Sequence, residues 1–214
     1  MSAVLTPPPT TAAPPIPAAG PAPAVPPEPY TPELFRFTVD EYYKLGDIGI
    51  LSPESRVELI NGLIVRKAMH NNPHIRTVRD LQIILAPFAG PRWTVQSQLP
   101  VDLDNSSPEP DAAIARGPAA SYRGRAVTAA DVVLVIEASD TTLPYDSGEK
   151  LEMYARNGVP VYWIANIRDM RIEVYTQPAN GTYAARTDYT PGQTVPIILD
   201  GQAVGAINVS DILT

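Results

Sequence analysis

The chain contains no cysteine. Disulfide staples and thiolate zinc sites are therefore excluded, although this absence says nothing of the compartment. No apolar run approaches the roughly 18 residues that mark a membrane span. No basic start followed by an apolar stretch marks a secretory signal, and with neither signal nor anchor the cytoplasm is the expected compartment. There is no internal repeat. Positive charge is in deficit, with 16 Lys and Arg against 23 Asp and Glu and a net charge of -7. That balance weighs against broad, sequence-blind duplex binding, which relies on clustered cations. A local basic groove stays compatible with it.

Proline is abundant but badly distributed. Residues 1–32 hold 12 of the 25 prolines and one charged residue, Glu28. Such a segment has little to bury and favours extended, solvated backbone. It reads as a disordered leader, with 33–214 as one domain of ordinary length.

From Phe35 onward the pattern becomes that of a folded domain. Thr38 followed by Asp40 and Glu41 predicts a short capped helix. Asn61-Gly62 between two apolar runs, from Arg56 to Arg66, predicts a hairpin, because both central turn positions need positive φ. His74–Phe88 has helical spacing with Pro73 at its start. Trp93–Leu103 alternates like a strand, residues 104–108 form a turn, and Asp111–Ala115 is a short strand. Val132–Ala138 is a continuous apolar run, as in a strand covered on both faces. A polar loop over Thr141–Ser147, a helix over Gly148–Arg156 stopped by Asn157-Gly158, and a strand over Val159–Ala165 follow. Arg171–Tyr175 and two further short strands between Thr182 and Ile198 complete the chain. A strand–helix–strand unit within an otherwise antiparallel set implies an α+β fold with a mixed, mostly antiparallel sheet flanked by helices.

The stretch from Pro110 to Lys150 carries the chemistry. Asp111 opens one strand, Glu137 ends the apolar run of the next, and Lys150 lies on the helix after it. These three groups can converge on one point. Carboxylates hold hard cations such as Mg²⁺ or Mn²⁺ through oxygen. Such a cation polarises a phosphoryl oxygen and makes water a better nucleophile, and the lysine adds positive charge beside the phosphate or the water. This is the minimum kit for metal-assisted phosphodiester hydrolysis.

Each residue also has a plainer reading. Asp111 could be a turn aspartate after proline, and Glu137 a strand end reaching solvent, though a carboxylate there is costly unless paired or metal-bound. Lys150 could form an i,i+4 surface pair with Asp146, worth about 0.2–0.5 kcal/mol. Asp146 could cap the helix or orient the lysine. Glu58 sits on the first hairpin strand, pointing away from Val57 and Leu59, either to solvent or to the site. His74 near a helix start could touch a phosphate or simply face water. Tyr154, one turn beyond Lys150 on the same face, could pack in the core or hydrogen-bond near the site, and the pair Tyr162 and Trp163 reads as core.

The block Val135-Ile136-Glu137-Ala138-Ser139, then Thr141-Thr142, Asp146-x-x-x-Lys150-x-x-x-Tyr154 and Gly158-Val159-Pro160-x-Tyr162-Trp163-Ile164 resembles the Uma-two family of restriction-endonuclease-like proteins. Upstream, Phe37 to Tyr42, Glu58 to Gly62, His74 and Pro110-Asp111 fall in the family's order, so the resemblance covers the chain from Phe35 on. It implies a PD-(D/E)xK nuclease core whose lysine has moved from the strand to the next helix. It places catalytic roles on Glu58, Asp111, Glu137 and Lys150, metal ligation on Glu58, Asp111 and Glu137, and substrate contact on His74. The chain departs from the family at Val161, where an acid is common, at Asn166, where Asp is common, and at Ser139, where the usual strand lysine would stand.

Two classes of function follow. One is a Mg²⁺- or Mn²⁺-dependent endonuclease acting on DNA. The other is a non-catalytic nucleic-acid or protein binding module on a degenerate nuclease fold, which the acidic balance favours. A purely structural β-rich domain would leave the acids unrelated in space. A homodimer is compatible with the pattern, and no sequence feature requires it.

Overall fold

The computed structural model describes residues 32–213. The leader read over residues 1–32 lies outside them apart from Pro32. The first regular element is helix α1 (Val39–Asp47), set by a reciprocal capping box. Thr38 Oγ1 accepts the Glu41 N–H at 3.2 Å while Glu41 Oε2 accepts the Thr38 N–H at 2.9 Å, satisfying two donors that a helix start leaves open. No residue of α1 is buried. Thr38→Ala should therefore loosen this helix by about 1 kcal/mol without lowering the global melting temperature. Amide exchange confined to α1 would show it, and a global loss of stability would contradict it.

The hairpin of β1 (Val57–Ile60) and β2 (Leu63–Arg66) turns at Asn61 and Gly62, with φ of 50° and 76°. Both positions are left-handed, which is why Asn-Gly occupies them. Gly62 is doubly constrained, because a Cβ there would come 2.6 Å from the Arg36 Cβ. Gly62→Ala should cost more than about 1 kcal/mol and disturb the register that pairs Glu58 with Val65. A thermal melt unchanged by this substitution would refute that reading of the turn.

Helix α2 (Asn72–Leu85) is capped by the Asn71 side chain, which accepts the His74 N–H, and carries Pro73 in its first turn. The long strand expected over Trp93–Leu103 is instead two pieces, β3 (Trp93–Gln96) and β4 (Val101–Asp102). Gln98 between them has φ of 52°, and Pro100 has no N–H to give a ladder. Next come β5 (Ala112–Arg116), β6 (Val127–Thr128), which pairs with β4 in parallel, and β7 (Val132–Ser139). All eight residues of β7 are buried. Large apolar side chains such as Leu134 and Ile136 contribute about 1.5–3 kcal/mol each when buried, which helps a strand tolerate an acid near its end.

After β7 the chain does not loop to a helix at Gly148, as the polar composition suggested. It turns at once into α3 (Leu143–Tyr145), a π-helical turn (Asp146–Lys150) and α4 (Leu151–Arg156). Strands β8 (Val161–Asn166), β9 (Arg171–Ala179) and β10 (Thr182–Tyr189) follow, then a separate hairpin of β11 (Thr194–Leu199) and β12 (Gln202–Asn208), of which the second strand had no clear sequence signal.

The main sheet has the order β10-β9-β8-β7-β5-β3. Its only parallel pair is β7 with β8, joined through α3 and α4. This is the α+β fold with a mixed, mostly antiparallel sheet. One sheet face packs Ile114, Leu134, Ile136 and Trp163 against Leu81 and Leu85 of α2 and against the β11–β12 hairpin. The other packs Ala113, Val135, Tyr162 and Ile164 against Leu151 and Tyr154 and against Ile60 of the first hairpin. Phe35–Thr214 forms one compact unit. Among the described residues no helix is long and apolar enough to cross a membrane.

Candidate active site

Strand alternation decides where the acids point. Asp111 is in phase with Ala113, Glu137 with Val135, and Glu58 with Ile60. Those three apolar residues all belong to the core beneath α4. Asp111, just before β5, and Glu137 on β7 therefore face the side of the main sheet that carries Lys150, and Glu58 reaches the same side from the separate β1–β2 hairpin packed there. Together they line one cleft of about 430 Å³, with His70, His74, Tyr145 and Asp146.

Lys150 is the hub. Its Nζ donates to Glu137 Oε1 at 2.9 Å and lies 3.7 Å from Glu58 Oε1 and 3.9 Å from Asp146 Oδ1. Tyr154 OH donates to the same Glu137 oxygen at 2.9 Å. Glu58 Oε2 accepts the Glu109 N–H at 3.2 Å. Asp111 Oδ2 accepts the Ala138 N–H at 2.9 Å and meets His74 Nε2 at 3.1 Å. Glu58, Asp111, Glu137, Asp146 and Lys150 are all buried. His74, expected near a helix start with surface or phosphate contact, is also buried and aimed at Asp111.

The electrostatics follow from three buried carboxylates around a single ammonium, with a fourth, Asp111, paired to His74 in the same cleft. Burial pushes the Glu137 carboxyl up to about 8, and the nearby Asp146, Asp111 and Glu58 charges push the same way against Lys150. For Lys150, burial acts to lower the pKa, but Glu137, Glu58 and Asp146 outweigh it and hold the group well above its ordinary value. For Asp111, burial acts upward and is outweighed by the His74 hydrogen bond and charge, the Ala138 N–H and Lys150, so its carboxyl lies below the usual value. The cleft thus holds one firmly ionised acid, one acid resisting ionisation and a permanent cation.

Two features bear on whether a divalent cation fits. Leaving His74 aside, the four acids and Lys150 carry a formal surplus of three negative charges, which is expensive in a buried site unless a cation balances it. His74 Nδ1 and Tyr145 OH, both on residues of the cleft lining, are buried with no hydrogen-bond partner among the described residues. Unpaired buried polar atoms cost about 1–3 kcal/mol each. The donor set is mainly hard oxygen, which suits Mg²⁺ or Mn²⁺. Among the described residues the one group of three whose ligand atoms lie within 4.8 Å of one another is His70, His74 and Asp111; Glu58, Asp111 and Glu137 line the same cleft without coming that close together. The two rings, however, stack with centroids 4.1 Å and planes 27° apart. A ligated ion lies along a nitrogen lone pair, in the ring plane, so in this arrangement the two imidazoles cannot both hold one ion.

Several residues of this cleft were not among those singled out for the site. Asp146 is neither a helix cap nor exposed: its Oδ2 accepts from Ser139 Oγ and Thr142 Oγ1, both at 2.6 Å. Tyr154 is buried, as a core reading requires, but its hydroxyl serves Glu137. The spacing Asp146, Lys150, Tyr154 places all three on one helix stripe, a signal that was present. The widened turn over Asp146–Lys150 had no sequence signal; such turns recur at functional sites.

Residues 39–206 match the Uma2 family, described as "Putative restriction endonuclease". A solved structure described as "a putative nuclease belonging to DUF820" from Anabaena variabilis is similar in fold, with a TM-score of 0.55 over 82% of this chain and 97% of that one at 16% identity. No curated protein matches the chain.

Proposed function

The chain belongs to the Uma2 family of restriction-endonuclease-like proteins, and from that premise we propose that it is a Mg²⁺- or Mn²⁺-dependent nuclease hydrolysing phosphodiester bonds in DNA. The observation that carries the proposal is that Glu58 and Glu137, from separate strands, close on Lys150 in one cleft that Asp111 also lines.

Asp111, Glu137 and Glu58 would hold the cation. When bound, it supplies Lewis acidity toward a phosphoryl oxygen and a template for the attacking water. The chain's own groups do the rest. His74 fixes the Asp111 carboxylate through Nε2 and so acts as a positioning residue. Tyr154 orients Glu137. Asp146, itself held by Ser139 and Thr142, keeps Lys150 directed at the acids. With a cation balancing the carboxylates, the Lys150 ammonium is available to a phosphate oxygen or to the attacking water. The sequence assigned His74 to substrate contact; its geometry supports an indirect role through Asp111.

The test is nicking of supercoiled plasmid DNA by the full chain with Mg²⁺, with Mn²⁺ and with EDTA. Cleavage that requires the metal is the expected result. Metal binding without any cleavage of plasmid or oligonucleotide would instead favour the binding-module reading. His74→Ala should lower metal affinity by about 10–100-fold, the usual effect of losing a group that orients a ligand. Calorimetric Mn²⁺ titration unchanged in that variant would remove His74 from the site.

A further inference from the structure

A second cleft of about 630 Å³ opens beside the first and shares Lys67, His70, Gln98 and Glu109 with it. Its character is different. The first cleft is crowded with acids; the second has Tyr42 and Tyr43 of α1, Arg56 and Lys67, and Glu109 as its single acid. Glu109 is already engaged by Lys67. Arg56 forms no ion pair among the described residues; it is exposed and gives one guanidinium hydrogen bond to the Ala68 carbonyl. The Lys67 N–H donates to the Arg56 carbonyl, so the two cations stand opposite each other at the base of the first hairpin, two residues from Glu58. Lys67 is balanced by Glu109, so Arg56 is the uncompensated cation of this cleft, a local positive charge beside the candidate active site on a chain with net charge -7.

The tyrosines are held as a platform. Tyr42 OH donates to the Val57 carbonyl, and Tyr43 OH donates to Asp102 Oδ1 at 2.6 Å. Their hydroxyls are thus tied down, the rings stand 5.8 Å apart, and Tyr43 remains 37% exposed. The backbone around the cleft is also unusual. Arg56 and Gln98 both have positive φ, at 49° and 52°, although neither stands in an Asn-Gly-type turn. Non-glycine residues held this way are strained and concentrate at ligand sites.

We infer that this second cleft is a nucleotide subsite, which takes an unpaired nucleotide of the strand being cut, its base against the Tyr42 and Tyr43 rings and its phosphate toward Arg56 and Lys67. The inference rests on the proposed nuclease reading for the placement of the scissile bond in the first cleft. Stacking on an aromatic ring needs a base outside a duplex. The consequence is a substrate class: single-stranded, flapped or frayed nucleic acid in preference to a fully paired duplex.

The test uses the full chain in Ca²⁺, which occupies oxygen sites, and fluorescence anisotropy with a labelled single-stranded DNA oligonucleotide, the same oligonucleotide with abasic positions, and its duplex. The parent should bind the single strand more tightly than the duplex or the abasic strand. Tyr43→Ala should weaken single-strand binding about tenfold, and Tyr43→Phe, which keeps the ring, should restore most of it. Arg56→Ala should weaken binding and lower the salt slope by about one phosphate contact, which guards against a Tyr43→Ala protein that merely folds poorly. Equal affinity for duplex and single strand, or Tyr43→Ala and Arg56→Ala proteins that bind like the parent, would overturn the subsite. The two readings fail separately. Metal-dependent nicking with no Tyr43 effect overturns the subsite alone; Tyr43-dependent strand binding with no nicking overturns the nuclease alone.

Discussion

Lys150→Met is expected to destabilise the metal-free protein by about 3–5 kcal/mol, the usual effect of removing one partner from a buried ion pair. The size of the effect follows from the surroundings. Among the described residues Nζ is the one side-chain cation within 4.0 Å of Glu58, Glu137 and Asp146, and without it those carboxylates lose their counter-charge. Lys150 has its pKa raised in the folded state, so its stabilising contribution is fully present below the ordinary lysine range and is lost only as pH rises above it. Glu137 works in the same sense at lower pH. Its folded value of about 8 lies above the ordinary 4.5. The protonated form therefore favours folding, and that contribution is lost as pH rises from 4.5 through about 8. The metal-free melting temperature should accordingly fall across that interval, and Glu137→Gln should flatten the fall. Mn²⁺ should raise the melting temperature most at its upper end, where the acids are ionised and ready to bind. Differential scanning fluorimetry across pH, with and without Mn²⁺, measures all of this. A Lys150→Met protein as stable as the parent, or a pH profile indifferent to Glu137→Gln, would mean that the cluster is not the strained charge centre described above.

The second large effect belongs to Asp111→Asn. The amide oxygen can still accept the Ala138 N–H, so the fold should persist and the thermal melt of the metal-free protein should stay near that of the parent. The loss falls on the metal. The Asp111 carboxyl is held below its usual pKa, which keeps it charged as an oxygen ligand. Its removal should reduce Mn²⁺ affinity by more than the roughly 10–100-fold typical of a group one step removed from the ion, and should bring cleavage down to the level seen in EDTA. Isothermal titration and the plasmid assay measure the two consequences independently. Retained Mn²⁺ affinity in Asp111→Asn would move the metal to other ligands, and retained cleavage would remove Asp111 from the chemistry.

Much of the architecture was legible because local rules act strongly in particular places. Asn61-Gly62 imposed the hairpin, since few other pairs accept two left-handed positions. Thr38 and Glu41 imposed the start of α1. The run Val132–Ile136 fitted a strand covered on both faces. Period-two alternation also pointed Glu58 away from Val57 and Leu59. The break between β3 and β4 was harder to read, because the alternation continues through Gln98 and Pro100 while the backbone does not. The helix beginning at Leu143 was hidden by polar composition, and β12 by its glycine and small residues.

By itself the sequence determined the chemical inventory: acids on successive strands, a lysine on the helix that follows, no thiols and few cations. It also determined that Asp111 stands at the start of one strand and Glu137 toward the end of the next long one, with Glu58 on the first hairpin strand. Only the tertiary structure decided that these acids are buried together, that His74 turns inward onto Asp111, and that Asp146 is held by Ser139 and Thr142. It alone placed Tyr42, Tyr43, Arg56 and Lys67 beside the site. The physical reason is that alternation fixes a side chain's face but not its neighbour. The neighbour depends on pairing between distant strands and on the extra residue in the π-helical turn, and no local preference encodes either.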